Sequence, residues 1–196
     1  QDGERQWNAT LAFNESGEYE VNISGTDLAG NAGSDEASVF VSTTVSVENE
    51  TATVVNNDTG TVIQFEVAAD ADLDEVAVAL SENDAAYEQL DDDLVGVSFL
   101  TGTLDDDLAA NLTEATIMVP VDEAALPAGV VPEDVDLHHY NETTFEWEPV
   151  ATTVEDAADL DVNGSSQYWV ATVSEFSTYG ALATDEEPPE LDAVSP

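Results

Sequence analysis

The side chains in this sequence that can act as nucleophiles, bases or metal ligands are mainly histidines, hydroxyl residues and carboxylates, because cysteine is absent. His138 and His139 are the only histidines. Neighbouring residues on a strand point to opposite faces of a sheet, so the two imidazoles cannot easily bind one metal ion. A zinc site would need carboxylates as well, and the pair alone gives little reason to expect one.

Carboxylates occur in runs that offer oxygen ligands to hard cations. The runs cover residues 70–75, 91–93 and 105–107. A calcium-binding loop needs a glycine at its sharp turn and a closing glutamate, and none of the three runs has both. We therefore expect at most a weak site for Ca²⁺ or another hard cation at Asp70, Asp72 and Asp74, with a solvated carboxylate face as the alternative. A glycosidase pair cannot be singled out among 44 acidic residues.

Eight of the eleven asparagines begin an Asn-x-Ser/Thr sequence, several-fold more than the composition alone would give. In secreted proteins this tripeptide is the acceptor for N-glycosylation, although Asn, Ser and Thr also gather in turns. Asn22 favours glycosylation, because it lies in a strand pattern whose apolar face is Tyr19, Val21 and Ile23, so its own side chain should point to water. The predicted glycosylation sites are Asn8, Asn14, Asn22, Asn49, Asn57, Asn111, Asn141 and Asn163.

The chain of 196 residues has 44 acidic residues and one basic residue, Arg5, which gives a net charge of -43. Disorder and an acidic tail are two explanations of such a charge. A folded protein adapted to molar salt is the third, and it is favoured because the carboxylates alternate with apolar residues and 42% of the chain is hydrophobic. Salt screens the repulsion between exposed carboxylates. The same charge argues against nucleic acid and anionic lipid as partners, and no apolar run is long enough to span a membrane.

Alternating apolar and polar residues predict strands along nearly the whole sequence, separated by short spacers rich in Asn, Asp, Gly and Pro. Short helices are predicted at 105–110 and 122–126, the second starting with two carboxylates and stopping at Pro127. The expected fold is all-β, with Ig-like β-sandwich pieces flanking a central sandwich or barrel-like module with one or two short helices. The predicted strands are a strand at Tyr19 and the segments 37–47, 61–67, 75–80, 94–100, 116–121, 135–140, 145–150, 168–173 and 179–182.

The two ends resemble parts of the Ig-like repeats of bacterial and archaeal surface proteins. Residues 1–47 are predicted to be the C-terminal part of an Ig-like sandwich, with the turn of a closing hairpin at 27–32. Residues 184–196 are predicted to be a linker and the first strand of a following repeat. Neither piece can close a sandwich alone. The expected partners are therefore other domains of the same surface protein, or a second copy that adds a strand.

Residues 48–183 are predicted to form one β module between these ends. Its second half contains the runs ATIMVPV, VDLHHY, FEWEPV and YWVATVSEFSTYG. These runs resemble the archaeal surface-protein module called PGF-pre-PGF, well over 112–182 and loosely over 50–110. The sequence departs from that pattern at His138-His139-Tyr140 and at Val173-Ser174-Glu175. The resemblance implies a compartment and an architecture, and no reaction.

Glu175-Phe176-Ser177 resembles the His-Phe-Ser self-cleavage site of some receptor β-sandwich modules. That chemistry requires a serine nucleophile, a base and local strain. Glu175 stands where those modules have histidine, so an ordinary turn into the last strand is the favoured interpretation. The large aromatic residues are interpreted as core more readily than as a carbohydrate-binding surface: Trp7, Phe65, Phe99, Tyr140, Trp147 and Trp169.

These features predict an extracellular, N-glycosylated, structural or adhesive segment of a haloarchaeal cell-surface protein, in an S-layer-like coat or a filament. The alternative is a cation- or polysaccharide-binding accessory module of an exported protein. No enzyme active site and no catalytic residues are expected.

Overall fold

The structure is a computed structural model that describes residues 11, 17–26, 30–57, 59–81, 90, 94–160 and 165–184. Within these ranges the chain forms thirteen strands and two short α-helices. The strands are β1 (Gly17–Thr26), β2 (Ala32–Val41), β3 (Thr43–Glu48), β4 (Thr51–Val55), β5 (Val62–Val67), β6 (Glu75–Ser81), β7 (Leu94–Leu104), β8 (Leu112–Pro120), β9 (Val135–Asn141), β10 (Glu146–Val150), β11 (Thr152–Asp156), β12 (Gln167–Val173) and β13 (Thr178–Thr184). The helices are α1 (Asp106–Asn111) and α2 (Ala157–Leu160), and a 3₁₀ turn covers Pro132–Asp134.

Eleven of the strands form one sheet, in the order β10-β9-β13-β7-β6-β3-β4-β5-β8-β12-β11, while β1 and β2 form a separate two-stranded sheet. Every pair is antiparallel. Antiparallel pairing suits this sequence, because alternation places one apolar row inside and one polar row in water. The predicted all-β class is confirmed.

The large sheet curls until it nearly closes into a barrel. Strand β3 is shared by its two halves, since Thr43–Ser46 pairs with β6 and Val47–Glu48 pairs with β4. The two edge strands, β10 and β11, are separated in sequence by Ala151 alone. The backbone N–H of Leu137 donates to Thr152 Oγ1 at 2.8 Å, which ties β9 to the start of β11. The sheet is therefore joined on one side by a shared strand and on the other by a one-residue corner.

The core lies inside this curled sheet. The predicted inward row of β5, formed by Ile63, Phe65 and Val67, is buried. It packs in one cluster with residues of the other half, such as Leu137 and Tyr179. Trp169 is almost fully buried, and its indole Nε1 donates to the carbonyl of Pro132 at 2.8 Å. Burial of each such side chain contributes about 1.5–3 kcal/mol.

One predicted helix is confirmed and the other is wrong. Helix α1 follows Asp105, whose Oδ1 accepts from the N–H of Leu108 at 2.7 Å as an N-cap. Residues 122–126 form turns instead of a helix. Asp122 Oδ1 accepts from the N–H of Ala124 at 3.0 Å, which stabilises a turn in place of the first helical hydrogen bonds. Pro127 also disfavours a helical backbone at Leu126, the residue that precedes it.

The predicted hairpin at 27–32 is confirmed by the pairing of β1 with β2, although residues 27–29 lie outside the described ranges. The segment 37–47, predicted as one strand, is interrupted at Ser42, and its second part is β3 of the large sheet. Strands β4 and β11 and helix α2 were not anticipated. The proposed boundary at 47/48 falls within β3, and the division of the chain into three parts stays a prediction. Residues 185–196 lie outside the described ranges.

Gly102 in β7 is required by the ring of Phe176. A Cβ placed on Gly102 would lie 2.0 Å from Phe176 Cε1, far inside van der Waals contact. The backbone at Gly102 is not left-handed, so space alone requires glycine there.

We therefore expect Gly102→Ala to lower the free energy of unfolding by about 1–3 kcal/mol, the usual cost of overpacking. Denaturant unfolding in molar salt measures it. Gly25→Ala is the matched control, because nothing lies within 4 Å of its Cβ position. Adding Phe176→Leu to Gly102→Ala should recover part of the loss. Equal unfolding midpoints for the two single variants would contradict this account.

Candidate functional site

The described residues bring one histidine and one serine into hydrogen-bond contact. His139 lies on β9 and pairs in register with Tyr179 on β13. Ser177 precedes β13, in the short segment 174–177 that connects it to β12. The two strands are neighbours, and His139 Nε2 lies 2.9 Å from Ser177 Oγ. His138 has different surroundings: it is buried, and its Nδ1 lies 3.2 Å from the carbonyl oxygen of Asp136.

Tyr179 contacts both the segment 174–177 and His139. Its hydroxyl donates to the carbonyl of Glu175 at 2.5 Å, and its ring lies 5.1 Å from that of His139. Burial of the phenol raises the pKa of Tyr179 well above its ordinary value, and the negative charge of Glu175 raises it further. The phenol is therefore held in its protonated form, the form that donates this hydrogen bond.

The ring of Phe176 packs between the two halves of the large sheet. It makes an edge-on contact with Phe65 at 5.1 Å and stacks near Tyr179 at 5.9 Å. It also lies over Gly102, whose backbone N–H donates to the carbonyl of Ser177 at 2.9 Å. The three residues 175–177 are thus each held by a separate contact.

A serine hydroxyl within hydrogen-bond reach of an imidazole is the arrangement in which the imidazole can accept the hydroxyl proton. The sequence pattern did not predict this pair, because the motif that Glu175-Phe176-Ser177 resembles places the base at position 175, two residues before Ser177. The base comes instead from a strand that lies about 40 residues earlier in the chain and next to β13 in the sheet. Only the pairing of β9 with β13 shows this proximity.

The sequon asparagines in the described residues lie at or near the surface. Asn22, Asn49 and Asn57 are exposed, and the last two stand in turns. Asn111 and Asn141 are half-buried, with amide groups that donate to Asp107 and Glu148, each at 2.8 Å. Asn8, Asn14 and Asn163 lie outside the described ranges.

The three carboxylates proposed as a weak cation site, Asp70, Asp72 and Asp74, are all exposed. Across the described ranges, no three or more His, Cys, Asp or Glu side chains are grouped so that they could hold a metal ion. The structure therefore does not bring these three together as a ligand set. They are solvated side chains of the loop before β6.

The aromatic residues considered for carbohydrate binding lie mainly in the core. Phe65, Phe99, Trp147 and Trp169 are buried. Tyr140 is half-buried and packs beside Trp147, with ring centroids 5.1 Å apart. Trp7 lies outside the described residues. The rings that the structure describes form no exposed stacking platform of the kind that sugars require.

The surface of the described residues includes two clefts. One, of about 390 Å³, is lined by residues that include Thr61, Val97 and Trp169. The other, of about 630 Å³, lies beside the turn at 127–130 and is bordered by Glu133, Asp134 and Asp136. Neither is lined by His139 or Ser177.

The hairpin of β1 and β2 is not hydrogen-bonded into the large sheet, although β1 contacts β6, and it has an apolar face. Tyr19, Val21 and Val39 share that face and are only half-buried, and Ile23 is 64% exposed. The opposite face carries Asn22, whose amide donates to Glu36 at 2.8 Å. A two-stranded hairpin by itself is marginally stable in water.

Comparison with known proteins gives no relative: no family model, no curated protein and no solved structure matches this chain. Among the helices that the structure describes, none is long and apolar enough to cross a membrane.

The raised pKa of Tyr179 predicts a loss of stability in alkali. Because the pKa is higher in the folded than in the unfolded chain, the contribution of this phenol is complete below about pH 10, the ordinary tyrosine value, and falls as the pH rises towards the folded pKa. Tyr179→Phe should remove this dependence and should also cost about 0.5–1.5 kcal/mol at pH 8 for the lost hydrogen bond. The measurement is the free energy of unfolding from pH 8 to 11 in molar salt.

The chain has neither lysine nor cysteine, and its other four tyrosines are present in both proteins, so the difference between the two stability curves isolates Tyr179. Parallel stability curves for the wild type and Tyr179→Phe would contradict the assignment.

Proposed function

We propose that this chain is a structural segment of a secreted, N-glycosylated, salt-adapted archaeal cell-surface protein. The observation that carries the proposal is the separation of charge from core: among the residues whose side chains the structure describes, no Asp or Glu is buried, while the core clusters of the curled sheet are apolar. A compact apolar core inside a shell of carboxylates is what a protein working in molar salt needs. The resemblance of 112–182 to the PGF-pre-PGF module supports a place on the archaeal cell surface.

One pair of carboxylates in the large sheet lies directly opposite each other on neighbouring strands. Glu66 on β5 and Glu114 on β8 are direct cross-strand partners. Like charges directly opposite each other on antiparallel strands are destabilising. At about 1 M salt the Debye length is about 3 Å, against about 10 Å at 0.1 M, so salt weakens this repulsion between exposed groups.

Dialysis from molar salt to below about 0.1 M salt is therefore expected to unfold the protein, followed by loss of the β signal in circular dichroism. Glu114→Gln should lower the salt concentration at the midpoint, because it removes one charge of the opposed pair. Glu133→Gln, an exposed residue in the 3₁₀ turn, is the matched control and should shift the midpoint less. A circular-dichroism spectrum that does not change on dialysis would contradict the salt-adaptation part of the proposal.

The proposed partners are other β-domains of the same surface protein, docked on the hairpin of β1 and β2. No described strand is hydrogen-bonded to either outer edge of the two-stranded sheet, and its apolar face includes the exposed side chain of Ile23. Strand addition uses these features. If the occupant is a neighbouring domain, the isolated chain should be monomeric by light scattering in molar salt; a stable dimer would indicate instead that a second copy occupies the hairpin.

Glycosylation is the second testable part of the proposal. We expect glycans chiefly on Asn22, Asn49 and Asn57, because an exposed side chain accepts a bulky sugar without loss of packing. Lower occupancy is expected at Asn141, whose Oδ1 also accepts from the N–H groups of Thr143 and Thr144 at 2.9 and 3.3 Å.

Glycopeptide mass spectrometry of the protein secreted by a salt-adapted archaeal host measures the occupancy of each site. Thr51→Val, which removes the sequon of Asn49 and keeps the asparagine, is the control for that assignment. Secreted protein without sugar at any of the eight sites would overturn the glycoprotein part of the proposal.

A further inference from the structure

We propose that Ser177 cleaves the chain at its own preceding peptide bond, Phe176–Ser177, with His139 as the base. The first observation is the contact of 2.9 Å between His139 Nε2 and Ser177 Oγ. This distance lies within the range in which an imidazole removes a hydroxyl proton. The proposal goes beyond the structural role and does not depend on it.

The groups that lie near Ser177 determine which carbonyl carbon its hydroxyl can attack. Neither of the two clefts described above is lined by Ser177 or His139, so neither would present an external substrate to this pair. The carbonyl carbon of the preceding residue, by contrast, is always within reach of a serine Oγ, because attack on it closes a five-membered ring. The peptide bond after Phe176 is therefore the natural target of this hydroxyl.

The chain on both sides of that bond is fixed. The hydroxyl of Tyr179 holds the carbonyl of Glu175, and the N–H of Gly102 holds the carbonyl of Ser177. Between them, the ring of Phe176 is packed on Phe65 and over Gly102. Fixed reactants lower the entropic part of a reaction barrier, and here the chain is held by contacts on both sides of the bond that joins Phe176 to Ser177.

The reaction balances with water as its only co-reactant. His139 takes the proton of Ser177 Oγ, and Oγ forms a bond to the carbonyl carbon of Phe176. The bond from that carbon to the nitrogen of Ser177 breaks, and the nitrogen receives the proton from His139, which leaves an ester and a free amine. Water then hydrolyses the ester to a carboxylic acid at Phe176 and restores the hydroxyl of Ser177. No oxidation or reduction occurs.

Cleavage would leave the fold assembled. Strand β13 begins at Thr178 and pairs with β7 on one side and β9 on the other. Its residues Tyr179, Ala181 and Ala183 belong to the main core cluster. The two fragments would therefore stay together in native buffer and separate only under denaturing conditions.

The test is mass spectrometry of the denatured full chain after incubation in molar salt, with and without hydroxylamine. We expect two fragments that meet at Phe176 and Ser177, the second beginning with a free serine amine. Hydroxylamine should speed their appearance because it attacks the ester. Ser177→Ala should stay intact, Ser177→Thr should still cleave, and His139→Gln should be at least about 100-fold slower, the lower range for loss of a general base.

Two controls separate the reaction from a loss of structure. His138→Gln changes the neighbouring imidazole on β9, and Ser174→Ala changes an exposed serine of the same segment; both should cleave at the wild-type rate. Circular dichroism in the same salt reports whether each variant is folded. One intact wild-type chain in every sample, hydroxylamine included, overturns the proposal, as does cleavage at another bond or cleavage that persists in Ser177→Ala.

Discussion

The structure depends on one electrostatic constraint: the chain has 44 acidic residues and only Arg5 as a permanent cation. Ion pairs can therefore satisfy almost none of the carboxylates. Several of them accept hydrogen bonds from neutral donors instead: Asp105 accepts from the backbone N–H of Leu108, and Glu148 accepts from the side-chain amide of Asn141. Cohesion must come from buried apolar surface and from backbone pairing, because side-chain charge opposes the compact state. That is why the carboxylates whose side chains the structure describes lie outside the core.

The shortage of cations also explains why a nearly closed sheet stabilises this protein better than an open one. An open sheet of eleven strands would present two long edges. Here β3 is shared between the halves, and Ala151 turns β10 into β11, so that the two ends of the sheet meet. Closure buries one continuous row of apolar residues from both halves and needs no ionic contact. It also makes β3 part of the module, because without β3 the strands β4 and β6 would each lose a partner.

Strand existence was predictable because alternation in this sequence is strong, and the inward row of Ile63, Phe65 and Val67 follows directly from it. The strands that were missed have weaker signals. Strand β11 is mostly polar. Strand β4 follows a turn in which Asn49 and Glu50 both have positive φ, and the alternation of apolar and polar residues does not predict such a turn. Order in the sheet was not predictable, since β13 lies between β7 and β9, neither of which precedes or follows it directly in the chain. Sheet order depends on how the apolar faces of distant segments fit together, which local pattern does not encode.

The contact between Ser177 and His139 is a site that could not be predicted from the sequence, because it depends on the order of the strands in the sheet. Alternation correctly separates the environments of His138 and His139, but it does not say what each one faces. Judged by its neighbours in sequence, Ser177 follows Glu175 and has no base, so an ordinary turn is the reasonable interpretation. Judged by its neighbours in the sheet, it lies beside His139, because Tyr179 is in register with that residue. A strand pair joins groups that sequence keeps about 40 residues apart, so a self-processing site in a β-fold is found from register and not from a contiguous motif.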